Sequence, residues 1–238
     1  MEVKAFAIDL DGTMTDTAGI VNLNAAYAAK WLQNAGYEII FVSGKSSQEA
    51  FALASFLGTT KIAVGENGGV VQIGPNDLVL LGDKTYPLAA YGYLAERVKN
   101  VKLKSVFPRF TEVVMERTFD FNKGLDILEE SKYPVYLSDS LYGYHITLRG
   151  VDKAKGLREA LKYIKIKPEN CVAIGDSQTD IPMFRMCGYS VAVGNASDDV
   201  KAEAKFSTYA ENGDGAFEAL EYVAERFLKV KLGELPRK

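Results

Sequence analysis

The sequence predicts an α/β fold built on a parallel sheet, and three observations carry that prediction. Short apolar runs at Val3–Ile8, Tyr37–Val42 and Ile62–Val64 alternate with helical stretches, the pattern of parallel strands joined by crossover helices. The alternation breaks at about Gly82 and resumes at Asp152, which suggests an inserted α+β unit. Several of the runs end in polar or acidic residues, at the strand ends where open parallel sheets bind ligands. The expected division is a core from residues 1–81 and 151–238 with an insert at 82–150.

The first run, VKAFAIDLDGT, ends in acid. Asp9 and Asp11 are two apart, so extended backbone would carry both carboxylates to one side. At ~4 Å and an effective dielectric of about 20 such a pair costs on the order of 4 kcal/mol, which a shared proton or a cation must offset. The plain alternative is a turn with solvated carboxylates, since Asp, Gly and Thr are ordinary turn formers. A helix follows over 22–35, with Leu23, Ala26, Tyr27, Lys30, Trp31 and Ala35 near one stripe and Gly36 as its stop. The second strand delivers Ser43-Gly44 to its tip, and Ser46 or Ser47 caps a helix that runs through Leu57 and closes at Gly58. Val70–Ile73 and Leu78–Leu81 flank a turn and read as a hairpin.

Within the insert the sequence predicts a Tyr-rich helix up to Val101, a strand around 112–117, a helix near 123–130, and strands at 135–137 and 142–148. Beyond it come a basic amphipathic helix over 153–164, the run Cys171–Ile174 ending in Gly175-Asp176, and a helix opening at Asp180. A strand at 189–193, a short one at 204–208 and a C-terminal helix over 216–230 complete the chain; Phe217, Leu220, Val223, Ala224, Phe227 and Leu228 form one face of that helix.

Composition narrows the function. With 238 residues and 47% hydrophobic content the chain can bury one large core, or a core and a smaller insert. A net charge of -3 argues against general affinity for nucleic acid, which needs a basic surface to neutralise phosphates. No leader and no apolar run near the roughly 20 residues of a bilayer span is evident, so a cytoplasmic protein is expected. Cys171, Cys187 and the single His145 make a zinc site improbable and place any Ser-His or Cys-His nucleophile far from the acidic strand ends. Carboxylates converging from Asp9, Asp11, Asp176 and Asp180, without His or Cys, match a hard, oxygen-seeking cation such as Mg²⁺.

DLDGT at Asp9–Thr13, Ser43 after an apolar strand, Lys155-Gly156, and GDSQTD at Gly175–Asp180 resemble, in that order, the four motifs of the haloacid dehalogenase-like hydrolases. The insert between the second and third motifs resembles a C2-type cap on a Rossmann-like core, and its small helix-strand content is similar to archaeal-type phosphoglycolate phosphatases and the related sucrose-phosphatase-like group. Many members carry Asn before the final Asp, where this chain has Thr179. The resemblance implies that Asp9 is a nucleophile forming an aspartyl-phosphate and that Asp11 is its acid and base. It implies Mg²⁺ on the Asp9 carboxylate, the Asp11 carbonyl and Asp176, with Asp180 in the inner or outer shell. It further implies that Ser43, Gly44 and Lys155 bind the phosphoryl group. Thr13 is assigned to the turn, and Asn67 and Asn195 to turns in preference to the site.

The expected reaction is Mg²⁺-dependent hydrolysis of a small phosphate monoester, 2-phosphoglycolate first, by a monomer or homodimer that engages neither nucleic acid nor membrane. Hydrolysis of a sugar phosphate, or transfer of the phosphoryl group to a sugar as in a phosphomutase, would use the same motifs. A phospho-accepting signalling domain fits less well, since its acceptor lies on a middle strand of an undivided fold. His145 alternates onto the more polar face of its strand, with Thr147 and Arg149. Arg117, His145 and Arg149 are the cationic candidates for reading a second anion on the substrate.

Overall fold

The computed structural model describes residues 1–140 and 142–233. Its larger sheet begins with β1 (Ala5–Ile8), which leads through α1 (Leu23–Asn34) to β2 (Glu38–Val42), then through α2 (Ser47–Leu57) to β3 (Ala63–Gly65). The hairpin β4 (Val70–Gln72) and β5 (Leu78–Leu80) follows as predicted. The next elements are α3 (Thr85–Ala95), β6 (Val113–Met115), α4 (Phe121–Glu130), β7 (Val135–Asp139) and β8 (Tyr144–Leu148). The chain then runs through α5 (Lys153–Tyr163), β9 (Cys171–Gly175), α6 (Ile181–Met186), β10 (Tyr189–Ala192), α7 (Asp198–Glu203), β11 (Phe206–Ser207) and α8 (Asn212–Val223).

Eight strands form one sheet in the order β11-β10-β9-β1-β2-β3-β4-β5, parallel from β11 to β3 and antiparallel at the hairpin edge. The acid-tipped β1 lies between β2 and β9, so the tips carrying Asp9, Ser43 and Asp176 are neighbours. The pleat sorts the two cores. Phe6, Ile8, Ile39, Phe41, Val172 and Ile174 pack with α1, α2 and α8, while Ala5, Ala7, Ile40, Val42, Cys171 and Ala173 pack with α5 and α6. Runs buried on both faces read as continuous apolar segments, which is why they were legible.

The second sheet is three-stranded and antiparallel, in the order β6-β8-β7. Val113, Met115, Val135, Leu137, Tyr144 and Ile146 point into a core shared with Ala90 and Leu94 of α3 and Leu128 of α4. The opposite face carries Tyr136, Ser138 and Thr147, which line a cavity of about 650 Å³ together with Asp152, Lys153, Gln178 and Thr179 from the larger sheet's strand ends. That polar face therefore covers the acidic tips.

Several sequence expectations shift. α1 buries Ala25, Ala28, Ala29 and Leu32, whereas Leu23 and Tyr27 are exposed, so the small residues set the inner face. Asn22 caps it, accepting from the Asn24 and Ala25 N–H groups. Ser46, not Ser47, caps α2, in a reciprocal capping box with Glu49. α3 stops at Ala95 instead of continuing to Val101; Asn100 has φ +65°, which a helix cannot hold. α8 begins at Asn212, earlier than expected, and its last turn widens into a π-turn over Ala224–Leu228.

Candidate active site

The centre of the site is a buried lysine that the motif reading passed over. Lys153, the first residue of α5, places Nζ 2.7 Å from Asp9 Oδ1 and 2.7 Å from Asp180 Oδ1, with its side chain only 3% exposed. Burial works against its charge, yet Asp180 and Asp9 outweigh that and hold its pKa above the usual lysine value. Lys155, the expected phosphoryl ligand, points elsewhere: its Nζ donates to the Leu81 carbonyl at 3.2 Å. Two residues are about 200° of helical rotation, so only one of the pair can face the acidic tips. Asp152 sets which one by capping α5 through the Lys155 N–H, which brings Lys153 in as the helix enters the sheet. Gly156, the other half of the third motif, is required for packing, because a Cβ there would lie 2.4 Å from Val64 Cγ1 and 2.7 Å from Gly68 Cα.

Asp9 follows β1 and is almost fully buried. Burial pushes its carboxyl well above the ordinary range; Lys153 opposes this, while Asp180 and Asp176 add to it. Asp176 follows β9 and is pushed up to about 7, by burial first and by the Asp180 charge second. Its two oxygens are held in place, Oδ1 by the Thr13 hydroxyl at 3.2 Å and Oδ2 by Asn195 Nδ2 at 3.1 Å. Asn195 also donates to the Gly12 carbonyl, so this supposed turn residue ties two acidic tips together. Gly12 has φ +77°, and a Cβ on it would sit 2.4 Å from Asp176 Oδ2. Both the left-handed backbone and the close approach require glycine there.

Asp11 departs from the expectation of paired carboxylates. β1 ends at Ile8 and the chain turns, with Thr13, Met14 and Thr15 all donating to the Leu10 carbonyl, so the two-residue strand period no longer applies. Asp11 instead forms an ion pair with Lys45 at 3.0 Å, and each of the two acids has its own lysine. Gly44 lines a narrow crevice with Asp9, Asp11, Lys153, Ser177 and Thr179. Ser43 lies fully buried beside it, where its Oγ accepts from the Lys45 N–H.

Among the described residues, Asp9, Asp176 and Asp180 each present an oxygen within 4.8 Å of the others. An all-carboxylate donor set fits a hard divalent cation. Asp180 is already engaged on both sides, through Oδ1 by Lys153 and through Oδ2 by the Asp176 and Ser177 N–H groups and the Ser177 hydroxyl. Asp176 accepts one neutral hydrogen bond at each oxygen and Asp9 meets Lys153 through Oδ1, so each keeps lone pairs for a cation, and the Asp11 side chain stands outside the cluster.

The connection between β7 and β8 closes the crevice with Ser140 and Tyr142. Of the three cationic candidates for reaching substrate, His145 and Arg117 are engaged within the second sheet and Arg149 opens onto the cavity. His145 is wholly buried between Glu112 and Ser140, and Arg117 pairs with Asp139 at 2.8 Å. Arg149 lines the larger cavity.

A family model described as haloacid dehalogenase-like hydrolase matches residues 6–134 and 120–220. A phosphoglycolate phosphatase of Nitrosopumilus maritimus is 47% identical over 225 residues, covering 94% of this chain and 97% of the relative. One from Archaeoglobus fulgidus is 35% identical, covering 92% and 96%. The crystal structure of Thermoplasma acidophilum 0175 superposes with a TM-score of 0.82 at 22% identity, over 93% of this chain and 98% of that one. With the family model matching most of its length and relatives alike over nearly the full chain, the chain belongs to the haloacid dehalogenase-like hydrolases.

Proposed function

We propose that the chain is a Mg²⁺-dependent phosphoric monoester hydrolase that converts 2-phosphoglycolate to glycolate and phosphate through an aspartyl-phosphate on Asp9. The observation that carries the chemistry is Lys153 bridging Asp9 and Asp180 at the sheet's centre. The substrate reading is supported by likeness to archaeal proteins of that activity.

Lys153 occupies Asp9 Oδ1, which leaves Oδ2 to attack phosphorus in line. The bond from phosphorus to the leaving oxygen breaks, and Asp11, entering the step with the proton it takes from water at the end of the preceding cycle, gives that proton to the leaving oxygen, the carboxylate left behind pairing with Lys45. Asp11 then removes a proton from the water that hydrolyses the aspartyl-phosphate, releasing phosphate and restoring Asp9. An ammonium has three donors, and Lys153 spends two on carboxylates, so the third serves the phosphoryl oxygens with the Gly44 backbone. Ser43 holds the loop that presents Gly44. Mg²⁺, held by Asp9 and Asp176 with Asp180 behind them, would neutralise phosphate charge that the acidic tips otherwise repel. Residues 82–150 act as the cap that shuts out water. The enzyme acts in the cytoplasm on a small phosphorylated metabolite, as a monomer or homodimer, and its acidic net charge fits no role on nucleic acid.

Purified protein with Mg²⁺ should release phosphate from phosphoglycolate with a higher kcat/KM than from hexose phosphates, and lose turnover on chelation. Folded Asp9→Asn should be inactive. Full turnover by that variant removes Asp9 from the reaction, and preference for a hexose phosphate replaces the substrate.

A further inference from the structure

The face of the second sheet that looks onto the acidic tips is polar and uncommitted. Tyr136 and Ser138 of β7 alternate onto it, as do Thr147 of β8 and Arg149 just beyond that strand, and all four line the cavity of about 650 Å³. Tyr136 stands directly opposite Thr147 across the strand pair. Among the described residues none of these four side chains has a hydrogen bond or an ion pair. Thr147 is nevertheless only 4% exposed, and a hydroxyl buried to that degree is satisfied by what enters the cavity.

The other charged groups around the cavity are engaged. Asp139 pairs with Arg117, Asp152 accepts from the Lys155 N–H, and Lys153 lies between Asp9 and Asp180. Arg149 therefore brings the cavity a charge that no described carboxylate answers. Lys153 and Thr179 line both the cavity and the crevice, so an ester with its phosphate on Asp9 extends its leaving group into this space. The space is far larger than glycolate needs, equal by liquid volume to about twenty waters. Its polar face is also long. Residues two apart on one face of a strand are separated by about 7 Å, and from His145, which is bonded to the crevice-lining Ser140, Thr147 is one such step away and Arg149 two. In phosphoglycolate three bonds separate phosphorus from the carboxyl carbon, about 3.6 Å in an extended chain and short of a single step.

We propose that the enzyme has a second substrate class, open-chain phosphorylated polyhydroxy acids of about four to six carbons, whose hydroxyls meet Ser138 and Thr147 and whose carboxylate is bound by Arg149. The inference rests on the phosphatase chemistry of Asp9 and is separate from the phosphoglycolate reading. In a six-carbon acid seven bonds lie between phosphorus and the carboxyl carbon, about 8 Å when extended, and the long arginine stem shortens the remaining gap. Tyr136 and Phe121 supply ring surface for the carbon chain, while Ser138 and Thr147 each give one donor and accept at the same oxygen, which suits hydroxyl groups. A single guanidinium balances one charge, so it suits a carboxylate better than a second phosphate dianion. The reaction is unchanged in kind: the ester's phosphorus–oxygen bond breaks, water is consumed, and phosphate and the free polyhydroxy acid are released.

The test compares 6-phosphogluconate with sorbitol 6-phosphate, which has the same length and hydroxyls but a primary alcohol in place of the carboxylate, and runs phosphoglycolate beside them. With Mg²⁺ the purified protein should hydrolyse the six-carbon acid with kcat/KM about tenfold above the alcohol, in the range of one charge-assisted hydrogen-bonded pair. Arg149→Gln, a change at an exposed residue, should bring the two within about twofold of each other by raising KM for the acid while kcat stays near its original value. Thr147→Val should raise KM for both six-carbon esters about threefold to tenfold; if it fails to fold, the Arg149 variant decides alone. Turnover of phosphoglycolate without any advantage of 6-phosphogluconate over the alcohol overturns the inference and leaves the phosphoglycolate reading standing. Retention of that advantage in Arg149→Gln, or an equal loss on phosphoglycolate and 6-phosphogluconate, overturns it as well. Failure to hydrolyse any of the three esters overturns the phosphatase reading and this inference together.

Discussion

Lys153 concentrates the site's energetics in one residue. It places a cation between two carboxylates in a buried setting, where removing one partner of such a group costs about 3–5 kcal/mol because the remaining charges are left unpaired. Lys153→Met should therefore lower kcat by a factor of about a hundred to a thousand, as the loss of a preorganised donor does, and reduce thermal stability as well. Lys155→Met should keep kcat within about threefold, since among the described residues its ammonium donates to the Leu81 carbonyl and pairs with none of the site's acids. Steady-state kinetics on both variants with an aryl phosphate checks the contrast. Equal loss in the two, or a sparing of Lys153→Met, would return the phosphoryl-binding role to Lys155.

At the scale of elements, the site depends on how closely α5 approaches β3 and the turn that follows it. Gly156 is the contact point, packed against Val64 and the Gly68 backbone. A methyl group there cannot be absorbed by a flexible side chain alone, because one of the atoms it meets is main chain. Gly156→Ala should destabilise the protein by about 1–3 kcal/mol, the cost of overpacking a dense interior, and push the N-terminus of α5 with Lys153 away from Asp9. Urea unfolding together with kcat measures both consequences. A variant of unchanged stability and activity would show that the helix has room that this packing denies.

The whole molecule carries a pH signature from the same cluster. Asp176 has its folded-state pKa raised to about 7 from an ordinary value near 3.8. Between those values the folded state binds more protons than the unfolded chain, so stability falls as pH rises through that window and the full penalty applies above it. At 1.36 kcal/mol per pKa unit the displacement corresponds to about 4 kcal/mol. Metal-free protein should accordingly unfold at lower temperature at pH 8 than at pH 5, and Mg²⁺ should raise the midpoint more at pH 8, where the carboxylates are charged. Asp176→Asn should flatten both dependences. Thermal unfolding at the two pH values, with chelator and with Mg²⁺, reads this directly, and a midpoint independent of pH in metal-free protein would contradict it.

By itself the sequence determined the alternation of strands and helices, the hairpin edge, the interruption by a second sheet, and the acids at the strand tips. Each of these depends on local periodicity or turn chemistry: continuous apolar runs for β1, β2 and β9, the glycine at Gly58 that closes α2, the Asp-Leu-Asp-Gly turn after β1. What required the tertiary structure was every choice between near neighbours. Lys153 and Lys155 have the same charge and lie two residues apart, and only the docking angle of α5 on the sheet decides which ammonium is buried. Asp11 left its partner because the chain turned one residue after Asp9, a turn that also brought it to Lys45. Asn195 and Asn67 read as turn residues because their partners, Asp176 and Glu112, are far away in sequence. His145 was placed on the correct strand face, yet its burial depended on Glu112 and Ser140 arriving from other strands and loops. Local backbone preference is encoded over a few residues, whereas a buried charge network is closed only when segments more than a hundred residues apart, such as Asp9 and Lys153, are packed together.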